Sequence, residues 1–201
     1  MVKQAAKQAA EAGIKNASFE VADAEDLSAY ADDTFDVLTC NCGIMFMPHY
    51  SKALLEFRRI LKPSGVAMFS VWGPRDKTDL IAMMNEVREA VAPGTTFFAD
   101  PAVLGKQGEL HAVVEKVGFS SFNIRDVNVP MKFPGTIESA RSVLDNAVVS
   151  ELFNRLQAEG DTHIYKRAED AWMAAAVKHG YMKADEMVFP QNIALMVTAK
   201  K

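Results

Sequence analysis

The chain has 201 residues, a net charge of −4, 49% apolar residues and 24% charged residues. This length is enough for a single domain over residues 1–201, and the mild acidity gives no electrostatic reason to expect a nucleic-acid partner. No apolar run reaches the roughly 20 residues that span a bilayer, and the N-terminus lacks the pattern of a signal peptide. A disulfide between Cys40 and Cys42, two apart in one predicted strand, would be strained, so we expect a cytoplasmic protein in a reducing compartment.

Two elements are predicted before residue 25. A helix runs from Val2 to Ala12 and is closed by Gly13, which suits the left-handed conformation at a helix end. The residues from Ala17 to Asp23 alternate well enough to predict a strand.

A β-α-β unit is the most informative pattern in the chain. An apolar run, Phe35 to Cys42, precedes an amphipathic helix over Ser51 to Leu61 and a second apolar run, Val66 to Trp72. A crossover this short implies two parallel strands joined by a right-handed connection. Ligands of such sheets bind beyond the carboxyl ends of the strands.

Three further elements complete the first 133 residues. We predict helices over Asp76 to Val91 and Glu109 to Val117, the second ending at Gly118, and a strand over Phe119 to Val129. Asp100 and Pro101 form a good N-cap and first-turn pair for the second helix.

The last third of the chain reads as a helical insertion followed by a closing strand. Residues 134–186 predict two or three helices with a break at Gly160, and residues 187–201 predict the strand. Pro190 cannot donate to a ladder and therefore belongs near the strand start or a bulge. The closing strand is expected to lie beside Phe119 to Val129 and antiparallel to it. The helices either cover a pocket or simply pack on the sheet.

Four segments, taken in order, form a further pattern: Val21 to Leu38, Leu55 to Gly65, Val114 to Ile124 and Met187 to Lys201. Together they resemble class I S-adenosylmethionine-dependent methyltransferases of the small-molecule type (type 11 domain) that includes the ubiquinone and menaquinone methyltransferases. The resemblance implies an α/β fold with a Rossmann-like methyltransferase sheet, mostly parallel with an antiparallel closing strand. It implies S-adenosylmethionine as the cofactor.

The first cofactor-binding unit of that family has no counterpart in these residues. The family begins with a strand, a G-x-G-x-G turn and a second strand ending in an acid, and the 11 glycines here include no G-x-G pattern. The turn brings backbone close to the cofactor, and the acid accepts hydrogen bonds from ribose hydroxyls. We therefore expect a sheet without its first two strands and weak or absent binding of S-adenosylmethionine.

The resemblance implies two groups of cofactor-binding residues. Asp23 would bind the adenine amino group, and Ala24 after it would frame the ring. Asp26 is a second candidate for the same contact. The alternative is that these residues form a solvated loop that caps a helix. Asn41, Cys42 and Gly43 would line the methionine portion and the transferring methyl group; the alternative is a tight turn that needs Gly43 for its backbone.

Other residues near this edge are candidates for the acceptor side. His49 is the candidate general base, because histidine titrates near neutral pH; the alternative is a solvated loop residue, which is the more common role of a histidine near a helix start. An apolar cluster beside the pocket comprises Met45, Phe46, Met47 and Tyr50. The histidines and cysteines show no metal-ligand spacing, so no metal is predicted. Arg58 and Arg59 are interpreted as structural anchors of the turn from Lys62 to Gly65.

Two functions follow from different interpretations of the same pattern. The first is methyl transfer from S-adenosylmethionine to a small, apolar or aromatic acceptor. The second is a non-catalytic binding or oligomerisation module that has lost the cofactor. A third interpretation is that the sequence is an incomplete reading of a longer gene.

The missing strands also predict specific contacts. Unpaired buried backbone is costly, so the strand from Ala17 to Asp23 should pair with the one from Phe35 to Cys42 or with a second chain, giving a possible homodimer through exposed strand edges. If the inserted helices form a lid, Phe153, Ile164 and Trp172 should face the Asn41 to Phe46 edge and enclose an apolar pocket.

Overall fold

The computed structural model describes residues 1–97 and 99–201. The helices are α1 (Val2–Glu11), α2 (Tyr50–Ile60), α3 (Asp79–Val91), α4 (Gln107–Val117), α5 (Ile137–Leu144), α6 (Ala147–Ala158) and α7 (Ile164–Lys178). The strands are β1 (Phe35–Cys40), β2 (Leu61–Trp72), β3 (Ser121–Asn128), β4 (Met131–Pro134), β5 (Met182–Lys183), β6 (Glu186–Phe189) and β7 (Ile193–Lys200). Short 3-10 turns lie at Ile44–Phe46 and Arg75–Lys77.

The main sheet has four strands in the order β1-β2-β7-β3. β1 and β2 are parallel, and β7 runs antiparallel to both of its neighbours, β2 and β3. Since β2 and β3 are both antiparallel to β7, strands β1, β2 and β3 all point the same way. The predicted fold class, the β-α-β unit and the antiparallel pairing of the closing strand with β3 are confirmed.

The helices α2 and α4 cover one face of this sheet. The apolar stripe of α2, formed by Ala53, Leu54, Phe57 and Ile60, is buried, and α4 contributes Leu110, Val114 and Val117. These side chains pack with Phe69, Val71 and Val197 of the strands in one hydrophobic cluster, which we call the sheet cluster. The predicted end of α4 is confirmed, because Gly118 adopts the left-handed conformation with φ of 84°.

The predicted strand from Ala17 to Asp23 is wrong. Residues 17–22 have no regular structure, and Asp23 forms only an isolated bridge with Asp26. β1 ends the sheet on that side, and Val37 is 54% exposed. Pairing of residues 17–23 with β1 in the same chain is therefore excluded. Alternation predicts only that a segment can form a strand, whereas the strand also needs an adjacent edge and a buried face.

The segment after β3 contains the three helices α5, α6 and α7, as predicted, and α6 is followed by Gly160 with φ of 112°. It also contains a small sheet, ordered β4-β6-β5, that the sequence did not predict. Pro190 falls in the break between β6 and β7, in agreement with its missing donor.

Two local expectations need correction. Phe153, Ile164 and Trp172 are fully buried among the side chains of α3, α5 and α7 in a second hydrophobic cluster, the helical cluster, so they form the core of the helical segment. Asp100 caps a turn through Ala102 N–H (2.9 Å), and α4 begins only at Gln107. The first outcome is set by long-range packing, whereas the second is a local turn that closes before the helix begins.

An ion-paired contact joins the end of α7 to α3. The Glu86 carboxylate accepts from Lys178 Nζ (2.8 Å) and lies 2.6 Å from His179 Nε2. The hydrogen bonds from Lys178 and His179 lower the pKa of Glu86. A carboxyl whose pKa is lowered in the folded state stabilises the fold above its ordinary pKa and loses that contribution as the pH falls.

We expect Glu86→Gln to lower the free energy of unfolding at pH 7 by about 0.5–1 kcal/mol, since the pair is partly exposed. The difference between variant and wild type should shrink as the pH falls below about 4.3, where the unfolded carboxyl takes up its proton. Urea unfolding at pH 7 and below about pH 4.3 measures the difference in stability between variant and wild type. Glu151→Gln, on the exposed surface of α6, is the control. An equal difference at both pH values would contradict the assignment.

Candidate functional site

The carboxyl end of β1 is held by a buried hydroxyl on β2. Ser70, only 1% exposed, donates through Oγ to Asn41 Oδ1 (2.6 Å) and accepts from the Cys42 backbone N–H (3.0 Å). Cys42 has φ of 47°, an uncommon conformation for a residue with a side chain. Ser70 thus sets the shape of the loop in which Asn41, Cys42 and Gly43 lie. The sequence did offer a signal, since Ser70 is a polar residue inside an apolar run.

The same loop packs closely around Cys40. A Cβ atom on Gly43 would lie 2.9 Å from Cys40 Sγ, so a larger residue there would force the thiol to move. Burial raises the pKa of the Cys40 thiol, which therefore stays protonated at neutral pH. Both cysteines are free thiols. The interpretation that the turn needs Gly43 for its backbone angles is wrong, because Gly43 has φ of −112°, which other residues also adopt. Glycine is needed here for space beside Cys40, and this is compatible with a cofactor contact.

The acidic loop after residue 22 is tied to the loop that begins α2. One carboxylate oxygen of Glu25 accepts from the His49 backbone N–H (2.7 Å), and the other oxygen lies 2.8 Å from His49 Nδ1. The backbone hydrogen bond is the main cause that lowers the pKa of Glu25, and the ring contact adds to it. Asp23 Oδ1 accepts from Glu25 N–H (2.9 Å). The fold therefore brings Asp23 and Ala24 to the loop of His49, through a residue that the sequence analysis missed.

Arg59 anchors this acidic loop. The prediction that its side chain holds the turn from Lys62 to Gly65 is wrong. Its guanidinium donates to the carbonyls of Leu27 (2.8 Å) and Tyr30 (2.9 Å). It also pairs with Glu56 and Asp32, and Glu56 in turn accepts from Leu27 N–H. A helix arginine and a loop about 30 residues earlier are thereby joined. Spacing along the sequence could not reveal this contact, because the acceptors are backbone atoms.

A cavity of about 460 Å³ lies at the carboxyl edge of β1 and β2. Its walls come from the sheet edge (Cys42, Phe46, Trp72), from α3 (Leu80, Ile81, Met84), from the loop between α3 and α4 (Pro101), and from β4, α5 and the start of α6 (Phe133, Ser142, Val143, Asn146, Val148). None of these side chains carries a formal charge, and the volume falls within the usual range for small-ligand sites. The helical segment therefore does face this edge, through α5 and the start of α6.

Of the predicted cofactor-binding residues, Cys42 lines this cavity, whereas Asp23, Ala24, Asn41 and Gly43 are not part of its lining. Ala24, Cys42 and Met47 pack against the sheet cluster, so the loop after residue 22 and the loop after β1 border the same core. His49 is outside the cavity lining, and its side chain is 76% exposed. Of the predicted apolar cluster, Phe46 lines the cavity, whereas Met45 is buried in the sheet cluster.

Within residues 1–97 and 99–201, no group of three or more histidine, cysteine, aspartate or glutamate side chains is arranged to hold a metal ion. None of the described helices combines the length and the apolar character that crossing a membrane requires.

Comparison with known proteins identifies relatives of the first part of the chain. A protein-family model described as a methyltransferase domain matches residues 1–118. The ubiquinone/menaquinone biosynthesis C-methyltransferase UbiE of Rickettsia massiliae is 46% identical over 66 residues, and that of Rickettsia felis is 42% identical over 66 residues. Each alignment covers 32% of this chain and 26% of the relative, so it spans about a quarter of the curated relatives' length.

Solved structures agree on the fold. The YcgJ protein of Bacillus subtilis is similar over 100% of this chain and 78% of its own, with a TM-score of 0.59 and 18% identity. A putative methyltransferase from Bacillus halodurans is similar over 100% of this chain and 78% of its own, with a TM-score of 0.55 and 16% identity. Because the family model covers more than half of the chain and the architecture matches, the chain belongs to the methyltransferase-domain family.

Proposed function

We propose that this protein transfers a methyl group from S-adenosylmethionine to a small acceptor that is apolar or aromatic. The observation that carries the proposal is the uncharged cavity of about 460 Å³ at the carboxyl edge of β1 and β2. In open sheets with parallel strands this edge is where ligands bind. Membership of the methyltransferase-domain family supplies the type of reaction.

We assign the cofactor side to Asp23, Ala24, Asn41, Cys42 and Gly43. Asp23 is exposed, so a carboxylate oxygen is available to accept from an adenine amino group. The loop of Asn41, Cys42 and Gly43 is small and uncharged, which suits a sulfonium whose methyl group must be reached in line by the acceptor. Ser70 supports this loop by bonding to Asn41 and Cys42. Holding donor and acceptor in such an aligned geometry is the main catalytic requirement.

We assign the acceptor side to the cavity itself, with residues 134–186 as its cover. Cys42 and Trp72 connect the cavity to the sheet edge, while Phe133, Val143 and Val148 close it from the helical segment. A cavity without charged walls favours an uncharged acceptor, because burial of an unpaired charge is costly.

His49 is proposed as the general base. The lowered pKa keeps Glu25 ionised, and its oxygen lies 2.8 Å from Nδ1, which favours the tautomer with the proton on Nδ1 and the lone pair on Nε2. Because His49 lies outside the cavity lining, it would act on an acceptor that extends toward the loop. We further propose a cytoplasmic location and association of two copies through strand edges, neither of which depends on this chemistry.

The direct test is transfer of a labelled methyl group. The chain is incubated with methyl-labelled S-adenosylmethionine and a panel of phenols, quinols, primary amines and carboxylic acids, and products are separated by solvent extraction and mass. We expect label in an apolar or aromatic acceptor. Transfer only to charged amines or acids would contradict the acceptor class. Absence of transfer to any class would favour the non-catalytic module.

Cofactor affinity gives a separate prediction. Residues 1–201 contain no G-x-G turn, and each charge-assisted hydrogen bond that is lost costs about 1.5–3 kcal/mol, which is roughly tenfold to hundredfold in affinity. We therefore expect weak binding in titration calorimetry, and Asp23→Ala should weaken it further by about tenfold. Glu20→Ala, in the same exposed segment, is the control. Tight binding whose affinity is unchanged by both substitutions would show that other residues hold the cofactor.

A further inference from the structure

A second cavity, of about 190 Å³, differs from the first in having charged walls. Among the described residues, its lining carries two arginines, Arg75 and Arg88, and one acid, Asp100, which leaves one positive charge in excess. We call it the arginine cavity. Its volume is below the usual range for whole small-molecule ligands, so it suits a small ion or a single functional group.

The Arg88 side chain lies mostly buried in the wall of this cavity, with 14% of its surface exposed. Its Nη1 contacts the Thr95 carbonyl and lies 3.0 Å from the Glu89 carboxylate, which is itself 58% exposed. A guanidinium carries N–H donors on all three nitrogens, yet Nε and Nη2 have no acceptor in the part of the chain that the structure describes. Neither atom is fully buried without a partner, so both are accessible to a ligand.

The second guanidinium, that of Arg75, is held in the cavity wall by protein acceptors. Its Nη1 donates to Asn85 Oδ1 (3.0 Å) and its Nη2 to Asp100 Oδ2 (2.9 Å). Both acceptors are fixed in turn, because Asn85 Nδ2 donates to the Ile81 carbonyl (2.9 Å) and Asp100 Oδ1 accepts from Ala102 N–H (2.9 Å). Arg75 is therefore positioned before a ligand arrives, which lowers the entropic cost of binding.

The arginine cavity adjoins the cavity of about 460 Å³ along α3. Ile81 and Met84 line the larger cavity, whereas Asn85 and Arg88 line the smaller one. These four positions follow the i, i+3, i+4, i+7 spacing of a single helix face. Pro101, from the loop between α3 and α4, lines both cavities. The same face of α3 thus changes from an apolar wall to a guanidinium wall within about two turns of helix.

We propose that the arginine cavity binds an oxyanion, a carboxylate or phosphate group, through the guanidinium groups of Arg88 and Arg75. The planar guanidinium matches both groups with parallel, charge-assisted N–H···O bonds. An oxyanion supplies acceptors for the unpaired donors of Arg88 and neutralises the excess charge of the lining, whereas an apolar ligand does neither. The group belongs either to a free ion or to the charged end of a ligand whose apolar part occupies the larger cavity. This inference is independent of the methyl-transfer chemistry.

The Nε–H signals of arginine in nitrogen-15 NMR spectra report this binding directly. The 201-residue chain is titrated with sodium phosphate and, separately, with sodium acetate, at constant pH and ionic strength. We expect the Arg88 signal, assigned by its loss in Arg88→Lys, to shift along a saturating curve with a midpoint of about 1 mM, the order expected for an ion of a few atoms. The signal of Arg155, an exposed residue of α6, should not follow this curve.

Two substitutions with opposite expected effects test the assignment, with binding followed by phosphorus NMR of the ligand. Arg88→Gln should weaken phosphate binding by about tenfold, whereas Arg155→Gln, which changes the net charge equally, should leave it unaltered. Asp100→Asn should tighten binding by about fivefold, because it removes the like charge while its amide oxygen can still accept from Ala102 N–H. A gain in affinity cannot arise from loss of folding, so Asp100→Asn keeps the test decisive even if Arg88→Gln is unstable.

Shifts that rise linearly with concentration and are equal at Arg88 and Arg155 would overturn the proposal, because they indicate an adventitious ion only. Saturating binding that is unchanged by Arg88→Gln and by Asp100→Asn would also overturn it, since the ion would lie elsewhere. Competition distinguishes the two sources of the oxyanion. Displacement of phosphate by 1-naphthaleneacetate at lower concentrations than by acetate identifies the charged end of a larger ligand, and equal displacement by the two carboxylates identifies a free ion.

Discussion

Trp172→Ala should lower the free energy of unfolding by about 3–5 kcal/mol, the largest single effect on stability that we expect. Trp172 is fully buried in the helical cluster, with its ring centre 6.0 Å from that of Phe189. Its Nε1–H donates to Met187 Sδ (3.3 Å). The substitution removes this bond and leaves a cavity between α7 and the small sheet, which rigid neighbours fill only in part.

Urea unfolding followed by circular dichroism measures the loss. The matched control is Val177→Ala, which shortens an apolar side chain of the same helix that is 66% exposed, and it should change stability by less than about 0.5 kcal/mol. Equal effects of the two substitutions would mean that α7 is not packed as described. Since α7 packs against α5, which lines the cavity, Trp172→Ala should also weaken acceptor binding.

Ser142→Trp should reduce methyl transfer by about 100-fold, the largest effect on function that we expect. Ser142 lies on α5 and lines the cavity, yet it is exposed, so an indole at this position can enter the cavity without displacing core side chains. The acceptor would then be held too far from the methyl group or excluded. Cofactor binding should change less than acceptor binding, because Cys42 alone of the assigned cofactor residues lines this cavity.

Binding of 1-naphthol, followed by its own fluorescence, provides a readout that does not require the natural acceptor. Ser142→Ala should bind it as the wild type does, and Glu138→Trp, an indole placed on exposed α5 surface outside the lining, should do the same. If Ser142→Trp binds 1-naphthol with unchanged affinity, this cavity is not the acceptor site. If Glu138→Trp is equally impaired, the effect arises from the indole and not from its position.

Patterns that are local in the chain predicted their structures well. The spacing of Leu54, Leu55, Phe57, Arg58 and Leu61 indicated α2, and Leu54 and Phe57 are part of its buried face. Gly118 marked the end of α4 because few other residues adopt its backbone angles. The order of the β-α-β unit predicted parallel pairing of β1 and β2, since a short crossover permits little else. The closing strand was predicted antiparallel to β3, and Ile124 indeed pairs with Val197 in that orientation.

Contacts between distant segments were not predictable in the same way. Glu25 and His49 are separated by 24 residues, and Arg59 binds carbonyls about 30 residues before it, so no spacing rule connects them. Residues 17–22 alternate as a strand should, but the chain provides no edge beside them. The cavity wall was assigned to Phe153, Ile164 and Trp172 because they are large and apolar, whereas the structure uses Phe133, Val143 and Val148.

The amino-acid sequence by itself determined the main helices, the strands of the main sheet with their directions, and the sheet edge at which Asn41, Cys42 and Gly43 lie. Periodicity, glycine positions and crossover length are properties of continuous stretches of the chain, so they can be recognised in the sequence without a structure. Only the tertiary structure decided which helix faces the cavity, which carboxylate holds His49 and which edge of β1 stays open. Those outcomes depend on which surfaces meet after the elements pack, and burial in one cluster removes a side chain such as Trp172 from every other site.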